Sequence, residues 1–233
     1  AGVSSYCGRY VAGLDRPVVG DYLRFDEARL EALRPDLILV TSGVQLPLGR
    51  RLARAGQPVY ALPLPNCLSG ILENIITAAA LLGAVDAGRR LAARMATQAE
   101  ALRATHPAAA PAVYVELWFG RHLRTIGGRT FIHDLVSLAG GVPLFGNSSA
   151  GYLVPPLQEI PRLRPRVVLG FSEPEYPVDF GALLGERGWD RAFAPVLVNS
   201  SIARGRNIIH DGPSLLETAG WLRKEFQSLP TEC

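Results

Sequence analysis

Two stretches of this chain repeat one sparse pattern at a constant offset of 130 residues. Tyr22-Leu23 returns as Tyr152-Leu153, Leu33-Arg34-Pro35 as Leu163-Arg164-Pro165, Leu39 as Leu169 and Ser42 as Ser172. Both copies run in the order aromatic loop, short helix, Arg-Pro, apolar strand and serine-bearing loop. One offset shared by seven pairs predicts two related lobes. Related α/β lobes that face each other place equivalent loops on opposite walls of one cleft, so Tyr22 and Tyr152 are expected to meet a ligand from its two sides. Ligands of α/β sheets sit beyond the carboxyl ends of the strands. Those ends are Thr41-Ser42-Gly43 and Phe171-Ser172-Glu173.

The local grammar agrees. Leu37–Thr41 is an apolar run of strand length introduced by Arg34-Pro35-Asp36, and Val59–Leu62 is another after Gly56-Gln57-Pro58. Between them Leu46 to Ala55 has a helical pattern closed by Gly56, which makes a β-α-β unit with parallel strands. Strands are predicted again at Ala112–Leu117, Val167–Phe171 and Val196–Val198. Helices are predicted at Phe131–Ala139, closed by Gly140-Gly141, and at Pro213–Phe226. Strands alternating with helices define the α/β class.

The middle is helical. Ser69 is placed to cap a helix running to Leu82, and after Gly83 a second helix is expected from Val85 to Thr105. A helix of that length spans roughly 30 Å, enough to join two lobes. His106-Pro107 and the Ala/Pro run after it end the helix, because proline cannot continue one.

Composition excludes several classes. Hydrophobic residues make up 48% and charged residues 19%, the balance of a chain with a packed core. The net charge is +3, and no run of five basic residues exists, so a nucleic-acid footprint is not expected. The arginines at 50, 51, 54, 89, 90 and 94 fall in helical patterns as solvated faces. The three cysteines, at 7, 67 and 233, form neither a CxxC pair nor a zinc spacing. Cys7–Cys67 as a disulfide and all three as free thiols both stay open, with Cys233 expected to be loose. The longest apolar stretch, 75–85, is too short for a membrane span. No signal peptide is visible, and a chain starting at Ala1 is read as a processed or trimmed form.

The order of several motifs resembles the binding proteins of ABC importers for vitamin B12, siderophores and haem, with the cobalamin-binding branch nearest. Gly2-Val3-Ser4-Ser5-Tyr6 resembles the segment after that family's first β-α unit. The run from Glu31 to Leu39 resembles its Pro-Asp strand signature. Thr125-Ile126-Gly127-Gly128 with Leu138-Ala139-Gly140-Gly141 resembles a second-lobe stretch, and Asp211 to Leu216 resembles the segment before its last helix. The resemblance implies a class III periplasmic binding protein fold: two Rossmann-like lobes with parallel-rich sheets joined by a long helix, the first lobe lacking its first β-α unit. The implied division is 1–84 for the first lobe, 85–106 for the connecting helix and 107–233 for the second lobe.

It also implies function. The chain would be a monomeric, non-enzymatic protein without a resident cofactor, periplasmic or extracellular, reaching the membrane through a permease dimer or a lipid anchor. Its ligand would be a metal chelate, cobalamin first, haem or a ferric siderophore as alternatives. Carried over by position, Tyr6, Tyr22 and Tyr152 match pocket aromatics, with Trp118 or Phe119 supplying another. Thr41, Ser42 and Phe171 stand at strand ends, though Thr41 replaces an aromatic. The family's docking glutamates are replaced by Ala28 and Gln158, with Glu27 and Glu159 adjacent to take that role.

Aromatic rings suit a flat, rigid ligand because they give contact area with little entropy loss. Arg121, His122 and Arg124 are read as a basic loop after the strand 112–117. There Arg121 is placed to hold an anionic group and His122 to ligate a metal. No GxGxxG, Walker, HExxH or GxSxG motif is present. An enzyme or sensor on the same scaffold is the competing class, with His210 beside Asp211 its only suggestive pair.

Overall fold

The structure, a computed structural model, describes residues 1–22, 24–105 and 110–230. Leu23, the His106-Pro107 helix stop and Cys233 lie outside the described residues. The chain divides into two compact units, Ala1–Leu64 and Pro65–Cys233.

The first unit holds two short parallel pairs. Strand β1 (Val3–Ser4) pairs with β2 (Val18–Gly20), and β3 (Ile38–Thr41) pairs with β4 (Val59–Leu62) in the register Ile38↔Val59 to Thr41↔Leu62. Helix α1 (Glu27–Leu33) starts at Asp26, whose carboxylate accepts the Arg29 amide at 3.0 Å. It ends at Arg34, which adopts the left-handed conformation with φ 42° and ψ 60°. Helix α2 (Leu46–Arg54) crosses from β3 to β4, as the β-α-β reading requires, and lays Gly49 against Val40. Buried apolar side chains are few here: Leu30, Val40 and Leu52 among the described residues.

The second unit holds the main core. Helices α3 (Leu68–Leu81) and α4 (Val85–Ala104) pack on each other. The sheet is built on β5 (Ala112–Phe119). β5 runs parallel to β9 (Val167–Ser172), and β9 parallel to β10 (Val196–Asn199). On its other side β5 turns back antiparallel into β6 (His122–Ile126), which pairs with β8 (Tyr152–Leu153). The base of β5 pairs with β7 (Val142–Pro143). The β5 run of valine, tyrosine and leucine is buried because helices cover both faces. Val113, Val115 and Leu117 join α3, α4, α5 (Phe131–Leu138) and α9 (Leu215–Gln227) in one cluster. On the opposite face Tyr114 packs with Ile160 of α6 (Ile160–Leu163), Leu184 of α7 (Phe180–Glu186) and Trp189 of α8 (Trp189–Ala192).

Three local readings are corrected. Arg121, His122 and Arg124 do not form a loop. Gly120-Arg121 makes a tight turn, Gly120 at φ 56°, and His122–Ile126 is strand. A glycine there admits the positive φ that a two-residue hairpin needs. Ser69 does not cap α3. The helix begins at Leu68, whose amide donates to the Asp134 carboxylate of α5 at 2.7 Å. The third concerns Trp118 and Phe119, expected beyond the end of the strand; they are its last two residues and point to opposite faces.

Arg223 of α9 ties the helices together. It is 8% exposed and donates to the Leu138 carbonyl at 2.8 Å, to Leu102 O and to Thr105. Its positive charge meets the carbonyl ends of α4 and α5, where the helix dipoles favour a cation.

Candidate ligand-binding site

The expected site residues gather in two groups, one in each unit. In the first unit Tyr6 and Tyr22 stand with ring centroids 6.1 Å apart and planes inclined by 45°. Tyr6 lies at the start of a 3-10 turn, Cys7–Arg9, and carries the Arg9 guanidinium over its ring at 5.3 Å. Tyr22 sits in a tight loop. Gly20 bridges Phe25, and Asp21 closes the loop by donating its amide to the Arg24 carbonyl and accepting the Arg24 amide, both at 2.7 Å. A Cβ at Gly20 would lie 2.2 Å from the Arg24 carbonyl oxygen, so this turn requires glycine. Thr41 donates its amide to the Gln45 side chain at 2.9 Å, and Ser42 Oγ accepts the Leu64 amide at 2.8 Å. Thr41 therefore orders the loop after β3, and Ser42 ties that loop to the segment after β4.

In the second unit Phe119 is the hub. Tyr152 meets it edge-on, centroids 6.1 Å apart at 85°, and Phe171 lies behind it at 6.3 Å. Tyr152 is 40% exposed while Phe171 has no exposed surface. Phe171 thus supports Phe119 from the core, and the accessible aromatic surface on this sheet face is that of Phe119 and Tyr152. Ser172 Oγ accepts the Val178 amide at 3.2 Å, so it too is an acceptor for a backbone amide, but within its own loop. Arg121 is exposed at the hairpin tip, beside Gly120, whose amide donates to the Glu173 carboxylate at 2.6 Å. Burial and the nearby Asp211 carboxylate push the Tyr152 phenol up to about 12. Burial also raises Asp211 and drives His210 down to about 4.

Trp118 belongs to the other face. Its indole N–H donates to Glu116 Oε1 at 2.8 Å, and Arg187 holds both Glu116 oxygens, at 2.6 and 3.1 Å. Glu116 is 1% exposed. Sequence reasoning missed this pair. The signal was a glutamate inside an apolar strand, Val-Tyr-Val-Glu-Leu, since a buried carboxylate requires a partner. The partner, distant in sequence, carried no mark of its own.

Of the expected docking residues, Glu27 begins α1 and pairs with Arg51 at 3.2 Å, both side chains 64% exposed. Glu159 stands exposed at the start of α6. Cys7 and Cys67 are free thiols, lying 3.3 Å from Ser4 Oγ and 3.0 Å from Ser69 Oγ respectively. Among the described residues, no three His, Cys, Asp or Glu side chains stand together as a metal site, and no helix is long and apolar enough to cross a membrane.

A family model for periplasmic binding proteins matches residues 2–191. The chain belongs to this family. Its fold is also that of solved periplasmic binding proteins. HutB, a periplasmic haem-binding protein of Vibrio cholerae, superposes with a TM-score of 0.77 at 20% identity, covering 96% of this chain and 89% of that one. BtuF, the periplasmic vitamin B12-binding protein of Vibrio cholerae, gives 0.69 at 18% identity over 97% and 89%. IsdE of Staphylococcus aureus, solved with haem, gives 0.69 at 14% over 91% and 84%. A search of curated proteins finds no match. The sequence resemblance and the class III fold are therefore right, and the α/β reading holds in both units.

Proposed function

We propose that this periplasmic binding protein captures a metal chelate outside the cytoplasm, cobalamin before others, and delivers it to the permease of an ABC importer. The observation that carries this is the Phe119–Tyr152 surface at the carboxyl end of β5, backed by buried Phe171. Tyr6 and Tyr22 provide a second aromatic pair in the first unit. Such rings fit the flat, largely apolar face of a macrocycle. Capture asks for no catalytic group, and the role assigned here is binding alone.

Cobalamin is preferred because the sequence motifs stand nearest the cobalamin-binding branch. Burial and the nearby Asp211 carboxylate also raise the Tyr152 phenol, which works against a metal that demands a phenolate. A cobalt already ligated on both faces asks only for contact. Haem is the second reading, supported by the fold shared with HutB and IsdE. In that case Tyr152 or Tyr22 would supply the axial oxygen, and Arg121 an anion contact. Glu27 and Glu159 are proposed as the permease-docking side chains. The Glu27–Arg51 pair is exposed and so contributes little, which leaves Glu27 free to exchange partners.

Spectroscopic titration with haemin and with cyanocobalamin decides between the cargoes. Preference for cyanocobalamin, with no Soret shift on adding haemin, is the expected result. A Soret shift that saturates at one haemin per chain, with no uptake of cyanocobalamin, reverses the assignment.

A further inference from the structure

The sheet face opposite Phe119 carries a side-chain network that capture by aromatic contact does not by itself explain. Trp118 is half-buried one residue before the end of β5, in register with Ser172 on one side and Leu123 on the other. Its neighbour two residues back on the same face, Glu116, is buried, and accepts from the indole N–H at 2.8 Å. Arg187, just beyond α7, grips the same carboxylate with two nitrogens at 2.6 and 3.1 Å. The guanidinium in turn lies over the Trp189 ring at 4.8 Å.

A charged group buried in this way is costly unless paired, and pairing it with a bidentate arginine fixes its geometry. A carboxylate so held is a rigid acceptor. We propose that Glu116, locked by Arg187, is a positioning residue that sets the Trp118 indole in one orientation, with its N–H turned inward and its ring offered at the carboxyl end of β5, where a ligand beyond the strand ends meets residues of both sheet faces. This deepens the capture reading and rests on it. The consequence is a specificity: Trp118 rewards a flat π or apolar face and offers no hydrogen bond to polar groups of a ligand. Preorganisation of this kind removes the cost of ordering a rotamer on binding.

Arg187 acts through Glu116, and Glu116 through Trp118, so their effects must vanish when the indole N–H is removed. The test is a double-mutant cycle on the full chain, with cyanocobalamin and haemin as titrants. W118F keeps a ring without the N–H. E116Q breaks the charge-assisted grip, and E116D keeps the charge for Arg187 while withdrawing from the indole. E116Q and E116D are each expected to weaken the better titrant by about 3- to 10-fold in the wild-type background and by less than about 2-fold in W118F. The fluorine spectrum of the unliganded protein labelled with 5-fluorotryptophan reads the orientation directly. The Trp118 line, assigned by its loss in W118F, should be single in wild type and shifted or split in both Glu116 variants.

Equal penalties from the Glu116 variants with and without the indole would overturn the proposal, as would a Trp118 line that neither variant moves. Failure of the wild-type protein to bind either titrant would remove the capture reading and with it the specificity. The fluorine line would still decide whether Glu116 orients Trp118.

Discussion

Arg34 and Arg164 adopt nearly the same backbone conformation, φ 42° and ψ 60° against φ 44° and ψ 59°. Each ends a short helix and precedes a proline and a parallel strand. The left-handed region costs an L-residue roughly 1–2 kcal/mol, and helices commonly use it as their stop. Two arginines carrying that strain at equivalent points are the structural counterpart of the 130-residue echo. Replacing either with glycine relieves the strain, while a more flexible unfolded chain takes part of the gain back. Arg34→Gly and Arg164→Gly are each expected to stabilise by about 0.5–1 kcal/mol. Urea unfolding measures this, and destabilisation by either variant would mean that the guanidinium has a role the backbone geometry does not reveal.

The second prediction concerns Arg223. Its side chain is buried against the carbonyl ends of α4 and α5, and methionine retains most of its volume but none of its donors. Leaving those carbonyls unpaired should cost about 2–4 kcal/mol. Chemical denaturation of Arg223→Met would give that loss with an unchanged m-value. A loss below about 0.5 kcal/mol would show that water reaches the carbonyls instead.

What the sequence revealed and what it hid follow a physical line. Periodicity placed α2, α4, α5, β4, β9 and β10 almost to the residue, because each is governed by its own local pattern. It missed β6. A run such as His-Leu-Arg-Thr-Ile is a half-buried strand, and its polar members resemble a loop until the Gly120 turn and its pairing with β5 and β8 are known. The Ser42 and Ser172 echo was legible as a repeat, but its meaning was not. Both hydroxyls accept a backbone amide, Ser172 from Val178 in its own loop at 3.2 Å and Ser42 from Leu64 beyond the neighbouring strand β4 at 2.8 Å. The tyrosine echo is looser. Tyr22 stands in a Gly20-Asp21 turn and Tyr152 on the edge strand β8, so like residues at like positions reached the surface by different backbones. The long-range partners, Asp134 for α3 and Arg187 for Glu116, lay beyond any local signal.

The third prediction separates the ring of Tyr152 from its hydroxyl. Tyr152→Phe keeps the edge contact with Phe119 and should change cargo affinity by less than about 3-fold. Tyr152→Ala removes a ring worth about 1.4–2 kcal/mol, or about 10- to 30-fold. Calorimetric affinities check this. A loss as large for Phe as for Ala would place the hydroxyl, and hence iron ligation, at the centre of recognition.

The fourth concerns pH. Burial drives His210 down to about 4, while the Glu217 carboxylate pulls the other way. An unfolded histidine titrates near 6.5. Between those values the unfolded chain holds a proton the native protein has released. The contribution of His210 is therefore complete above about pH 6.5 and is lost as pH falls toward 4. Neighbouring Asp211 is raised by burial and acts in the opposite sense, its native form keeping a proton that the unfolded chain gives up as pH rises through the ordinary carboxylate range. Thermal unfolding midpoints should thus fall from pH 7 to pH 5, and His210→Gln should flatten that slope. Identical slopes for variant and wild type would locate the proton uptake elsewhere.

The central claim is capture through the aromatic residues of this family member, and calorimetric titration with cyanocobalamin tests it most directly. The account predicts saturable binding of one ligand per chain at micromolar or tighter affinity, weakened at least tenfold by Tyr22→Ala and by Tyr152→Ala. A folded protein that takes up no cyanocobalamin, or binds it unchanged in both variants, would contradict it.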